Sequence, residues 1–208
     1  MQNISSFFLG LMLSFLGQLP LGTMSLTATQ IAVQENFRNA WSYSLGVALI
    51  EILYLRMVLS GMQWLMGHSF WLILLNWMAI LFFLVLGVLS FIAARKQKDS
   101  NKALILEYSM NRFLMGISMS ALNPAQIPFW FIWSAYFINM GWLPAGFQSF
   151  NFFTLGSGLG TLGGLAVYMY GGNWMIRKMK TSNRALNTAM GIVFVVAAMV
   201  QLYHLLRD

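Results

Sequence analysis

Cysteine is absent from this chain of 208 residues, which excludes a disulfide framework and thiolate chemistry. Charge is scarce as well. Only 8% of the residues are Asp, Glu, Lys or Arg, while 59% are hydrophobic. A soluble domain carries about a quarter charged residues, so this chain could not cover itself for water. No charged residue occurs from Met1 to Gln34, from Met57 to Ala94 or from Phe113 to Ile176. The last stretch has room for two membrane helices at about 20 residues each. No Gly-rich nucleotide loop, zinc motif or Ser/His/Asp set is present. The polar cluster near the interface that a membrane enzyme needs is also missing, so the chain reads as a non-enzyme without a cofactor. The sixteen methionines read as apolar filler rather than as a metal site, since soft-metal sites cluster thiolates, thioethers and imidazoles. His68 and His204 fall near the outer surface. The opening Met-Gln-Asn-Ile-Ser-Ser lacks the positive region of a signal peptide, so the first apolar segment is expected to stay as a membrane helix.

What remains is an all-α, polytopic pattern of six helices: Ser5–Ile31, Ala40–Met62, Phe70–Ala94, Arg112–Asn139, Gly146–Trp174 and Arg184–Leu206. Residues 1–208 form a single membrane domain. The basic residues alternate between connections. Arg38 lies in the first; Arg95, Lys96, Lys98, Lys102 and Arg112 lie in or beside the third; Arg177, Lys178, Lys180 and Arg184 lie in the fifth. The second and fourth hold none. Basic loops stay in the cytoplasm, so both termini are expected outside. This arrangement accounts for a pI near 10 as topology and as contact with anionic lipid head groups, without nucleic acid.

The basic connection 95–111 separates halves 1–94 and 112–208. Three crossings per half make them inverted repeats. Each half opens with a proline break: Ser14-Phe-Leu-Gly-Gln-Leu-Pro-Leu-Gly22 in the first helix and Ser118-Met-Ser-Ala-Leu-Asn-Pro-Ala-Gln126 in the fourth. Setting Pro20 over Pro124 puts Ser14 over Ser118. Ser44-Leu-Gly-Val-Ala-Leu49 likewise resembles Thr154-Leu-Gly-Ser-Gly-Leu159. Paired breaks in corresponding halves point to a transporter binding site, because freed backbone groups are tolerated only where protein or a wet cavity meets them. Gln18, Pro20, Gly22 and Thr23, with Ser25 and Thr27 beyond, surround the first break, and Asn123, Pro124 and Gln126 the second. The half-helix ends after the prolines can attract a carboxylate. The alternative is a plain kink capped by Asn123.

Glu51 falls near mid-membrane, where a charge is expensive and a functional role is the default. It suits a carboxyl that binds and releases a proton or an amino group. An ion pair with Arg56 is the structural alternative, but five residues on a helix is about 140° of rotation, and Arg56 can snorkel to the head groups. Gly156, Gly160 and Gly164, with Gly116 and Ser120, let helix backbones approach closely. Packing within one protomer is the expected use and a homodimer seam the alternative.

The broken first helix, the Asn-Phe-Arg-Asn-Ala loop, the Leu-Gly helix with Glu51 and the fourth-helix Phe-Leu-x-Gly followed by Leu-Asn-Pro together resemble the lysine-exporter (LysE/RhtB) family of bacterial amino-acid efflux proteins. That family usually has Pro-Gly-Pro at the first break, whereas this chain has Pro20-Leu21-Gly22. The resemblance implies a bacterial inner-membrane antiporter that exports amino acids or similar zwitterions, coupled to protons. On that implication Gln18, Pro20, Gly22, Asn123 and Pro124 belong to the site and Glu51 is the ionisable partner. An ion or metal-cation exporter of the same superfamily type and a non-transporting membrane scaffold are the alternatives. The alternation of basic loops makes one immediate prediction. Lys98→Cys and Lys180→Cys should resist membrane-impermeant thiol reagents in intact cells and react once the cells are opened; labelling of either from outside would overturn the topology.

Overall fold

The computed structural model describes residues 2–19, 22–65, 69–95 and 110–179, with residues 188, 191, 192, 195, 196, 198–200, 202 and 203. All regular structure among these is helical: α1 Gln2–Gln18, α2 Thr23–Gln34, α3 Phe37–Leu65, α4 Ser69–Arg95, α5 Arg112–Ala121, α6 Gln126–Asn139 and α7 Phe147–Met179. Local chemistry sets several ends. The Asn36 and Asn111 side chains accept the Asn39 and Phe113 amides at 2.8 and 2.9 Å, capping donors that a helix start leaves free. Gly141, with φ of 71°, ends α6. Its amide bonds to the Ile138 carbonyl and that of Trp142 to the Phe137 carbonyl, the paired closure that a left-handed glycine permits.

Among the described residues, two helices are long and apolar enough to cross a membrane, over Phe37–Met62 and Phe147–Gly171. Asn3–Gln18 and Thr23–Gln34 make a third if they form one bent span; their axes differ by 79°. The expected first and fourth helices are thus each interrupted, between Gln18 and Thr23 and between Ala121 and Gln126. Pro124 lies in the second interruption, while Pro20 lies outside the described residues. So do His68, Lys96, Lys98, Lys102, Lys180, Arg184 and His204, and the sixth expected helix is described only in part.

The chain forms two compact units, Met1–Gly61 with Leu104–Ile176, and Met62–Ala103 with Arg177–Asp208. In the second, α4 buries Ile80 and Phe83 and exposes Leu81, Leu84, Val85, Val88 and Leu89. Gly191 sits against the Phe91 ring, at 2.9 Å from where a Cβ would stand.

The first unit exposes apolar faces and buries several polar side chains among its apolar core. On α1, Ile4, Phe8, Met12 and Leu16 are exposed while Ser6 and Ser14 are buried. On α3, Leu45, Leu49, Leu53 and Met57 are exposed while Ser44 and Glu51 are buried. Steps of four residues keep each set on one helix face. Continuous apolar faces of this kind suit lipid.

Two helix crossings hold the unit together, and they share one geometry. A Cβ added at Gly10 would lie 2.1 Å from the Phe153 carbonyl oxygen, and one at Gly156 would lie 2.0 Å from that of Phe7. In the crossing of α3 with α5, an added Cβ at Gly46 would lie 2.2 Å from the Phe113 oxygen and one at Gly116 2.1 Å from the Tyr43 oxygen. Each glycine meets the carbonyl three residues before its partner glycine. Gly160 continues the first crossing, where an added Cβ would lie 2.3 Å from the Leu11 oxygen. The small-residue strip of α7 therefore serves packing within the protomer. Laying one crossing on the other sets Gly10 beside Gly116 and Ser14 beside Ser120, whereas the proline register sets Ser14 beside Ser118. The difference arises because Pro20 is ten residues past its glycine and Pro124 only eight.

The turn between α2 and α3 is tied to the start of α5. Glu35 and Arg112 form an ion pair at 2.6 Å, and Asn39 Nδ2 donates to Glu35 at 2.7 Å. Partial burial works against ionisation of Glu35, but hydrogen bonds from Arg112 and Asn39 and the Arg112 charge outweigh it, so the carboxyl is held below its ordinary value.

Two outcomes follow from this packing. Gly156→Ala should lower the melting temperature of the detergent-solubilised protein, because overpacking against a backbone oxygen costs about 1–3 kcal/mol. Gly61→Ala, where nothing lies within 4 Å of the added carbon, should instead gain about 0.5–1 kcal/mol from helix propensity; equal effects would refute the close crossing. A carboxyl with a depressed folded value stabilises fully above its ordinary value and loses that contribution as pH falls through the folded one. Wild type should therefore melt above Glu35→Gln at pH 7 and converge with it on acidification. A gap that widens in acid would contradict the pairing.

Candidate functional site

Glu51 stands at the middle of α3, and only 4% of it is exposed. An unpartnered buried polar group costs roughly 2–7 kcal/mol, so the neighbours of this carboxyl decide whether it is tolerated. They come from α1 and α7. Ser14 Oγ donates to Glu51 Oε1 at 3.0 Å, and Gln18 Nε2 donates to Oε2 at 3.3 Å. Ser14 and Gln18 are one turn apart, hence on one face of α1. Ser14 Oγ and Thr161 Oγ1 are 2.6 Å apart, and Thr161 can donate to the Ser157 carbonyl at 3.1 Å.

This chain of hydroxyls satisfies both protonation states of the carboxyl. With Glu51 ionised, Thr161 donates to Ser14 and Ser14 donates to Glu51. With Glu51 protonated, every donor reverses: Glu51 to Ser14, Ser14 to Thr161, Thr161 to the Ser157 carbonyl. No hydroxyl proton is left without an acceptor in either case. Rotating two hydroxyls thus keeps all of these groups bonded in either state.

Apolar clusters lie on both sides of this centre. One gathers Met24, Ala28 and Ile31 of α2, Ala40, Tyr43 and Val47 of α3, and Leu165 and Met169 of α7. The other gathers Leu55 and Leu59 of α3, Trp130 and Phe137 of α6, and Phe150 and Phe153 of α7. Along α3 the order is cluster, Glu51, cluster. Along α7, Thr154, Ser157 and Thr161 occupy the same middle place and are all buried.

The sequence-predicted residues divide into those that meet Glu51 and those that shape the interruptions. Gln18 belongs to the first group. Gly22 and Thr23 open α2; both are exposed, and the Thr23 carbonyl accepts from Thr27 at 2.8 Å. Ser25 Oγ reaches back to the Gln18 carbonyl at 3.5 Å. At the second interruption Asn123 Oδ1 accepts the Ala125 amide at 3.1 Å within the turn; the N-cap of α6 is Ala125, which makes no side-chain cap bond. Pro124 is exposed beside it. Gln126 is buried and donates to Ser120 Oγ at 2.8 Å, which donates in turn to the Val47 carbonyl at 3.2 Å. Gln126 Oε1 has no protein partner.

Arg56 does not pair with Glu51. Its guanidinium lies over the Phe147 ring, 4.9 Å from the centroid, and its Nη1 is buried without a partner. The separation of about 140° on α3 keeps it from Glu51.

Thr161, Ser14 and Ser120 are the polar residues whose role sequence reasoning missed. The signal was available. Thr161 lies five residues past Gly156, as Glu51 lies five past Gly46, and Ser14 and Ser120 each lie four past a crossing glycine.

Comparison with curated proteins and with solved structures returned no match. The family model described as LysE type translocator matches residues 15–205, which take in Gln18, Glu51, Thr161 and both interruptions, and the chain belongs to that family of membrane transporters.

Proposed function

We propose that this chain is a secondary exporter of amino acids or similar small zwitterions, driven by proton exchange at Glu51. The observation that carries this reading is a buried carboxyl in the middle of α3, hydrogen-bonded to the end of an interrupted helix and enclosed by apolar clusters on either side. A charge at such depth marks a pathway or proton relay by default, and the Ser14–Thr161 relay accommodates either state of it. An ammonium group and a proton then compete for the same oxygens. The half-helix starts beyond Gly22 and Asn123, with Gln126 Oε1 unpartnered nearby in sequence, offer polar groups to the rest of a zwitterion.

On this reading the six helices cross a bacterial inner membrane with both termini outside. The halves 1–94 and 112–208 are inverted repeats that rock about the centre, the two apolar clusters opening in turn. The matched glycine crossings, α1 with α7 and α3 with α5, support such a repeat because each pairs one helix from either half in the same register. Basic connections rest on anionic lipid.

The test is Glu51→Gln, which keeps the shape and the acceptor oxygen but cannot exchange a proton. Proteoliposomes carrying it should lose proton-driven efflux of labelled amino acids by at least two orders of magnitude, with the melting temperature near that of wild type. Retained pH-gradient-driven efflux would remove Glu51 from the coupling step.

A further inference from the structure

A carbonyl at the end of a helix has no donor within that helix, and in lipid it finds no water. Each interruption leaves such a carbonyl, and a tyrosine meets it. Tyr168 Oη of α7 donates to the Leu19 carbonyl at the end of α1. Tyr54 Oη of α3 donates to the Ala121 carbonyl at the end of α5, at 3.0 Å. In both cases donor and acceptor lie on opposite sides of the 95–111 connection. Tyr168 is 2% exposed, so it is no interfacial aromatic.

Each tyrosine stands where its helix grips both parts of the interrupted one. The Tyr168 carbonyl accepts from Thr29 of α2 at 3.2 Å, while its hydroxyl holds α1. On the other side, α3 holds α5 through Tyr54 and through the Val47–Ser120 bond, and Ser120 holds Gln126 of α6. The register is telling. Leu19 is nine residues past Gly10 and Ala121 five past Gly116; Tyr168 is twelve past Gly156 and Tyr54 eight past Gly46. The carbonyl has moved by four residues between the two crossings, and the tyrosine has moved by the same turn. The demand of the open carbonyl, rather than a repeated sequence position, places the hydroxyl.

We infer that Tyr168 and Tyr54 are reciprocal positioning residues, each using its hydroxyl to fix the end of the interrupted helix on the other side of the connection. Tyr168 thereby sets where Gln18 meets Glu51, since Leu19 follows Gln18 directly. Tyr54, one turn from Glu51 on α3, sets where Asn123 and Gln126 stand. Their consequence for substrate rests on the transport reading above; their hold on the interruptions does not.

Hydrogen exchange by mass spectrometry on the full chain in detergent micelles separates these parts. Tyr168→Phe should speed exchange in peptides covering residues 15–25 by about tenfold, the scale of one lost hydrogen bond, and leave residues 112–130 at wild-type rates. Tyr54→Phe should do the reverse. Unchanged exchange at both interruptions, or a uniform rise across the chain, would overturn the assignment. The second measurement uses the twenty proteinogenic L-amino acids as thermal-shift probes. For the one that stabilises wild type most, each phenylalanine variant should bind at least fivefold more weakly. Local exchange with unaltered affinity would overturn the positioning role. A wild-type protein that no amino acid stabilises would count against the transport reading, and the exchange pattern would still decide the tyrosines.

Discussion

Gly10, Gly156 and Gly160 bring the backbones of α1 and α7 so close that a methyl group would press on a carbonyl oxygen at 2.0–2.3 Å. The polar centre depends on that approach. Ser14 is one turn past Gly10, and Thr161 follows Gly160. Only at this helix spacing can two short hydroxyl side chains stand 2.6 Å apart. Glu51 arrives from α3, which the matching glycines 46 and 116 press against α5. A larger residue at either crossing would part the helices and leave a buried carboxyl to find new partners.

The same close packing resolves two opposed demands. Lipid requires an apolar exterior, so the long side chains of α1 and α3 point outward. Transport chemistry requires polar groups inside, where each must be paired. Around Glu51, the side chains of Ser14, Gln18 and Thr161 meet that demand across narrow gaps, and the apolar clusters of α2 and α6 close the ends. At the interruptions, tyrosine hydroxyls meet two of the freed carbonyls, those of Leu19 and Ala121. Membership of the LysE type translocator family fits a molecule organised around one enclosed centre.

Much of this was legible in the residues, because the strongest signals are local. Charge-free stretches locate the helices, Pro124 and its neighbours mark an interruption, and a lone Glu51 in an apolar helix announces itself. Gln18 could be named from its place beside a break. What stayed hidden depends on pairing between distant segments. Proline register aligned Ser14 with Ser118, because breaks are the visible features; glycine contacts align it with Ser120, because backbones pack by their smallest residues. Tyr54 and Tyr168 carried no signal at all. A tyrosine in a membrane helix reads as an interfacial aromatic until the carbonyl it serves is known. Arg56 was ambiguous in sequence, and the phase of α3 sends it to Phe147.

Glu51 and Thr161 make the two crossings, alike in geometry, unlike in chemistry. Both residues lie five past a crossing glycine, and Ser14 touches both. A second carboxyl at position 161 would share one hydroxyl with the first, and two like charges so close oppose each other's ionisation. One proton would then be held between them, as in a coupled dyad. A hydroxyl in that place does the contrary. It carries no charge, donates or accepts as required, and lets Glu51 change state while every neighbour stays bonded. Near-identical packing thus brings two unlike side chains, a carboxyl and a hydroxyl, to the same Ser14.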